Sequence, residues 1–310
     1  MRPRLITFMH QIATKGWPHL RRLGRAKERL LAARRVCVLA MLGVVLPCLL
    51  LGAAPSVQAE PALSQWPADI ARIKQRGQLI VALRDIDAPP FFYERDGELV
   101  GIEVDLAKSI AQELQVKVRF NREAKTYNEV IDLVAQRRAD IGVSALSRTL
   151  ARAQRVHFSQ PYFRLNNALV LNRVAFARMA PNQRLEDTVR RYSGSLGVTA
   201  GSSFAEFAKR DFPLAQIKEY ANWRAVMAAV QQGEVIAGYG DEFLIKRLIK
   251  TDPRAALTLR TVTLKDTEDT WGIAVGATDP TLLAFVNQVL DQRRDKLDIH
   301  KLMHMVQGKL

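Results

Sequence analysis

One unit, spelled twice, constrains this 310-residue chain more than any other feature. Residues 127–143 read as a helix with Val130, Ile131 and Val134 on one face, then a short turn and an apolar strand. Residues 222–237 repeat that order, with Asn222 placed as an N-cap and Gly233 as the stop. The strands are continuous apolar runs, as expected for strands covered on both faces. Helix, turn and buried strand in succession build a doubly wound α/β layer. Each strand leads to a polar candidate at its end, so the two copies predict two lobes of similar build facing each other across a cleft.

The other segments fit around these units. A helix stopped by Gly77 precedes an apolar strand, Leu79–Leu83, and the loop after it carries Arg84, Asp85 and Asp87. Loops at the carboxyl ends of parallel strands are where open α/β sheets place ligands, so Asp85 and Asp87 either line a pocket or cap a turn. Both pointing inward would favour a cationic or amide ligand side chain, and Arg84 pointing inward an acidic one; the paired aspartates tip the expectation to the former. Asp96-Gly97 marks a hairpin turn, Leu106, Ile110, Ala111 and Leu114 share a helix face, and Val116–Phe120 is the next strand.

Asp140–Ala145 is an expected strand that runs into the turn-forming segment Ser147–Thr149, with Arg152 following one helical turn later. N–H groups of such a loop beside a fixed guanidinium make a site for a small carboxylate; a plain surface arginine is the other reading. After Phe163 the pattern restarts. Ala168–Leu171 reads as a strand, Arg173–Asp187 as a variable polar segment, and Gly197–Thr199 as a strand entering a helix. Gly201 frees the backbone there, which puts the N–H groups of Ser202 and Ser203 at a helix N-terminus, suited to an anion. A serine cap worth about 1 kcal/mol accounts for the same residues without a ligand. Trp271–Val275 and the helical Leu282–Leu290 are expected to return to the first lobe, giving two chain crossings and a hinge.

The formal charge of +15 invites a nucleic-acid partner until it is located. Ten Lys and Arg fall in residues 1–59 against Glu28 alone, leaving 36 basic and 30 acidic residues, net +6, beyond them. With so small a charge and no basic-aromatic stripe, nucleic acid is excluded. The basic segment ending Arg34-Arg35, the apolar Val36–Ala54 and the small-residue site Val57–Ala59 are the zones of an export signal, with cleavage expected after Ala59. The apolar zone is also long enough to serve as an uncleaved anchor. Cys37 and Cys48 both lie in this leader, so the exported chain has no thiol or disulfide chemistry.

The motifs together resemble the amino-acid family of periplasmic solute-binding proteins, the receptors of ABC importers. Gly101–Leu114 is similar to that family's signature helix, and Thr149-x-x-Arg152 followed by Phe158-Ser159-x-Pro161-Tyr162 to its second hallmark. The likeness covers roughly residues 70–310. It implies an α/β, type II two-lobed fold in which two doubly wound lobes are joined by a two-strand hinge. Residues 1–59 would be the signal peptide, 60–167 plus 269–310 lobe 1, and 168–268 lobe 2. It further implies a periplasmic monomer whose partners are a polar α-amino acid and a membrane permease, with no cofactor or metal. Carried over by position, Arg152 clamps the ligand α-carboxylate with Ser147 and the N–H groups at Ser202 and Ser203. Asp241 and the Ala145 carbonyl take the α-ammonium, Tyr127 lies over the side chain, and Asp85 meets its far end.

Two rivals use the same scaffold. An exported dehydratase of the cyclohexadienyl or arogenate type would need a general acid or base with a shifted pKa in the cleft. A sensor that docks a membrane kinase or chemoreceptor would use the same pocket. His300 and His304 stand four apart on an expected helix but lack a third ligand, which favours a solvated face. Tyr162, Trp223 and Trp271 are expected to pack in the core or hinge rather than stack on ligand.

Overall fold

The computed structural model describes residues 65–293 and 297–307; the expected cleavage after Ala59 and both cysteines lie outside the described residues. The first described helix, α1 (Ala68–Arg76), ends where Gly77 turns left-handed at φ 69° and caps it through a bond to the Lys74 carbonyl. Strand β1 (Gln78–Arg84) is buried on both faces. Leu79 and Val81 enter one core with α2 (Ile102–Glu113), while Ile80 and Ala82 enter another with α3 (Tyr127–Ala135). The hairpin β2 (Tyr93–Arg95) and β3 (Glu98–Val100) turns at Asp96-Gly97, both with positive φ, as a tight primed turn requires.

The first sheet is completed by β4 (Lys117–Ala124), β5 (Ile141–Gly142), β6 (Val156–Phe158) and β12 (Ala274–Gly276), in the order β4-β1-β5-β12-β6. Strands β4, β1 and β5 are parallel, and β12 runs antiparallel between β5 and β6. The tail thus returns to the first sheet.

The second sheet has the order β11-β7-β10-β8-β9, from β7 (Phe163–Asn172), β8 (Ser195–Thr199), β9 (Gln216–Tyr220), β10 (Ala237–Asp241) and β11 (Leu259–Trp271). Its two faces are covered by separate apolar clusters, one around Leu196, Val198 and Phe207, the other around Val226, Val230 and Ile245. Asn222 caps α8 (Trp223–Gln232) by accepting from the Ala225 N–H, and Gly233 ends it at φ 76°. Arg173–Asp187, read from the sequence only as a variable polar segment, is largely helical. It holds a helix at Arg173–Met179, capped by the Asn172 side chain, and enters a second at Leu185–Arg190.

The chain crosses between the sheets twice, side by side, because Phe163 of β7 pairs with Trp271 of β11. Under these crossings Leu83, Phe91, Phe92, Val104, Phe163, Phe243, Trp271 and Leu302 form one apolar cluster shared by both sheets. Phe91 meets Phe243 and Trp271 edge-on at 5.3 and 5.0 Å. Leu302 comes from the last helix, Ile299–Gln307, whose Met303 carbonyl accepts from Lys250 Nζ at 2.7 Å. Among the described residues no helix is long and apolar enough to cross a membrane.

Candidate functional site

The expected strand at Asp140–Ala145 is paired only over Ile141–Gly142, and the reason lies in Ala145. Its φ of 50° is uncommon for a residue with a Cβ, and its N–H is drawn to Glu103 Oε1 at 2.7 Å instead of a strand ladder. The chain then turns through Ser147 into the short helix Leu150–Ala153, capped by Thr149, whose hydroxyl accepts from the Arg152 N–H. The Arg152 guanidinium is thereby folded back under its own loop. It donates to the Ser147 carbonyl at 3.2 Å and to Asn128 Oδ1 at 3.1 Å, and it reaches the Gly201 carbonyl at 3.5 Å.

Gly201 opens the second sheet's contribution. Its φ of 65° turns the end of β8 into helix α7 (Ser203–Asp211). Ser203 Oγ lies 2.7 Å from Ser147 Oγ, and the Ser147 hydroxyl is also hydrogen-bonded to Asp269 Oδ2 at 2.7 Å. Trp271 Nε1 donates to the same Asp269 oxygen at 3.1 Å. The Ser202 hydroxyl is spent within its own turn, on the Thr199 carbonyl.

The expected residues therefore fall in two groups. Arg152, Ser147, Ser202, Ser203, Ala145 and Tyr127 come together where the sheets meet; Tyr127 shows its ring to Arg152, 5.9 Å away. Asp241 is buried and caps the helix Glu242–Thr251 by accepting from the Leu244 N–H at 2.8 Å. Asp85 is exposed. Asp87 is exposed too and pairs with Arg122 at 3.2 Å, while Arg84 lays its guanidinium over the Tyr127 ring at 3.8 Å. The loop presents the reverse of the expected polarity, because the cation goes in and the aspartate goes out. His300 and His304 are exposed, and no group of three metal-ligating side chains occurs among the described residues.

Four residues left out of the expected site belong here: Arg84, which the sequence offered only as the less favoured inward group of its loop, and Glu103, Asn167 and Asp269. Each has a buried polar atom with no hydrogen-bond partner among the described residues: Arg84 Nε, Glu103 Oε2, Asp269 Oδ1 and both amide atoms of Asn167. Such atoms are rare in finished structures and ask for a partner. Asn167 sits opposite Asp241 on the neighbouring strand. The only sequence signal for Glu103 was an acid on the buried face of an amphipathic helix.

The electrostatics have the same incompleteness. Burial pushes the Asp241 carboxyl up to about 7, with the nearby Asp269 raising it further and the Leu244 N–H opposing. Burial raises Glu103 to about 7 against its bonds from Tyr162 and the Ala145 N–H, and it raises Asp269 against its bonds from Ser147 and Trp271. Burial lowers Arg152, with Tyr127 and Asp269 opposing and Arg84 adding to the fall. Among the described residues none of Arg84, Arg152, Asp241 and Asp269 makes an ion pair within 4.0 Å. Buried charges of both signs thus stand close together without meeting, the arrangement that a small zwitterion completes.

Two sheets with a charged junction between them define a class of small-solute receptors. The profile of the bacterial extracellular solute-binding proteins, family 3, matches residues 79–305, and the chain belongs to that family, with its two-lobed, type II fold. It is 26% identical to an arginine-binding periplasmic protein of Mannheimia haemolytica over 154 residues, 49% of this chain and 59% of that one. It is 24% identical to ABC transporter arginine-binding protein 1 of Escherichia coli (strain K12) over 208 residues, 65% of this chain and 79% of that one. Among solved structures, an ancestral amino acid-binding protein, a precursor of cyclohexadienyl dehydratase, superposes with a TM-score of 0.58 at 26% identity, over 76% of this chain and 97% of that one.

Proposed function

We propose that this protein is an exported receptor that captures a polar α-amino acid between its lobes and delivers it to an ABC importer. The observation that carries this reading is the set of unpaired buried charges and polar atoms around Arg152. Arg152 and Ser147, with the helix N-terminus at Ser203, take the α-carboxylate. Asp241 and Asp269, with the Ala145 carbonyl, take the α-ammonium, and Tyr127 covers the side chain. The lobes divide as 60–167 plus 269–310 and 168–268, and tighter binding to the closed arrangement drives closure. Export by the N-terminal signal, with cleavage after Ala59, leaves a periplasmic monomer whose partner is the membrane permease.

A thermal-shift screen of the full chain against the twenty amino acids tests the reading. A ligand at a hundred times its dissociation constant adds about 2.7 kcal/mol, which raises the midpoint by about 5–10 °C. One or a few amino acids are expected to give that rise and to be recovered unchanged. Silence from all twenty overturns the proposal. The second reading, an enzyme on the same scaffold, draws on the carboxyls of Asp241 and Glu103, both near 7 and suited to proton transfer. Recovery of a chemically altered compound would select it.

A further inference from the structure

The unpaired charges also name the class of side chain, an inference that rests on the receptor reading above. Two guanidiniums flank one ring: Arg84 lies over Tyr127 at 3.8 Å and Arg152 stands 5.9 Å from it. A single α-carboxylate satisfies one of them. Arg152, folded into the loop that meets Ser203, is the one placed for it. Arg84 is then left with a buried Nε that has no acceptor, and its backbone is fixed at the end of β1 by a bond to Ser144 Oγ at 3.3 Å.

Among the described residues no carboxylate pairs with Arg84 within 4.0 Å, although the buried Glu103 is near enough to feel its charge. Asp85 is exposed, and Asp87 is turned to Arg122 and the Glu94 N–H. Glu103 is occupied at Oε1 by the Ala145 N–H and the Tyr162 hydroxyl and makes no ion pair with Arg84 within 4.0 Å. A cationic ligand side chain fails here twice. One face of Tyr127 is already covered by the protein's own cation, and a second guanidinium or ammonium placed beside Arg84 would meet like charge.

We infer that the ligand is an α-amino acid whose side chain carries a second anion, with its α-carboxylate on Arg152 and its side-chain carboxylate on Arg84. A planar guanidinium accepts a carboxylate in two parallel bonds, so Arg84 fixes both the charge and the orientation of the side chain. The class is that of aspartate and glutamate, in contrast to the arginine of the two curated relatives' names.

Calorimetry on the full chain with glutamate, aspartate, glutamine, arginine and lysine tests it. Glutamate or aspartate is expected to bind at least about tenfold more tightly than glutamine, arginine or lysine, the scale of one charge-assisted bond. Arg84→Gln should weaken the acidic ligand by at least about tenfold while glutamine changes little, erasing the preference. Arg84→Lys, which keeps the charge in case the first variant folds poorly, should keep the preference at lower affinity. Arginine, lysine or glutamine binding as tightly as the acids to the natural protein overturns this inference and leaves the receptor reading standing. An unchanged glutamate-to-glutamine ratio in Arg84→Gln also overturns it. Silence from every amino acid removes both.

Discussion

Two of the contacts between the lobes are opposites. At one, Ser147 meets Ser203 beside Arg152 and Asp269, and polar atoms are buried without partners. At the other, Phe91 meets Phe243 and Trp271 edge to face, Phe163 packs tilted on Trp271, and a fully buried Leu302 belongs to the same apolar cluster. The dry contact is complete as it stands, because apolar surface needs only to be covered. The polar contact is incomplete, because a desolvated charge needs a counter-charge of defined position. One end of the junction is thus built to persist and the other to wait for a solute. Trp271 belongs to both: its ring packs in the aromatic cluster while its N–H holds Asp269.

Four changes break or sharpen that contrast. Phe91→Ala empties the dry contact and should cost about 3–5 kcal/mol of stability in denaturant unfolding, with ligand affinity of the folded protein retained. A loss of affinity as large as the loss of stability would mean that the two contacts are one. Arg152→Ala attacks the polar contact. Losing one partner of a desolvated pair costs about 2–5 kcal/mol, hence roughly 30-fold to several thousand-fold in affinity by calorimetry. Without ligand this variant should be at least as stable as the natural protein, since it removes a cation that burial already disfavours.

Changing pH comes next. The Glu103 and Asp241 carboxyls are raised by burial to about 7, so folding favours their protonated forms. The stability they contribute is present below the unfolded carboxyl range and is lost as pH rises through about 7. The thermal midpoint without ligand is expected to fall between about pH 4 and 7, and Glu103→Gln, which keeps the acceptor for Ala145, should flatten that fall. An unchanged slope would place the titration elsewhere. Ser203→Ala has the smallest effect. It removes one hydroxyl bond across the junction, so affinity should drop by about 0.5–1.5 kcal/mol with little change in unfolding.

Much of the scaffold was legible because its signals are local. Asn222 and Gly233 mark the two ends of one helix, Asp96-Gly97 makes its hairpin, and Arg152 reaches its loop through a cap only three residues away. The helix at Arg173–Met179 was missed in a stretch read only as variable and polar, although Asn172 caps it by accepting from the Ala175 N–H. What else escaped depends on distance or register. Asp269 joins Ser147 across 122 residues, a pairing no short window contains. Arg84 and Asp85 are neighbours whose side chains go to different places, and which of them turns inward is settled by how β1 sits between β4 and β5.

The position of β12 has a consequence for how the molecule comes into being. Residues 274–276 lie between β5 and β6, strands more than a hundred residues earlier, whereas every strand of the second sheet falls within residues 163–271. The sheet that begins first is therefore finished last. During vectorial synthesis or translocation the second sheet can close while the first still has a gap between β5 and its edge strand β6, and the closure of that gap is a long-range, slow step. An incompletely delivered chain would carry one formed sheet and one open one, with no junction between them to hold a solute.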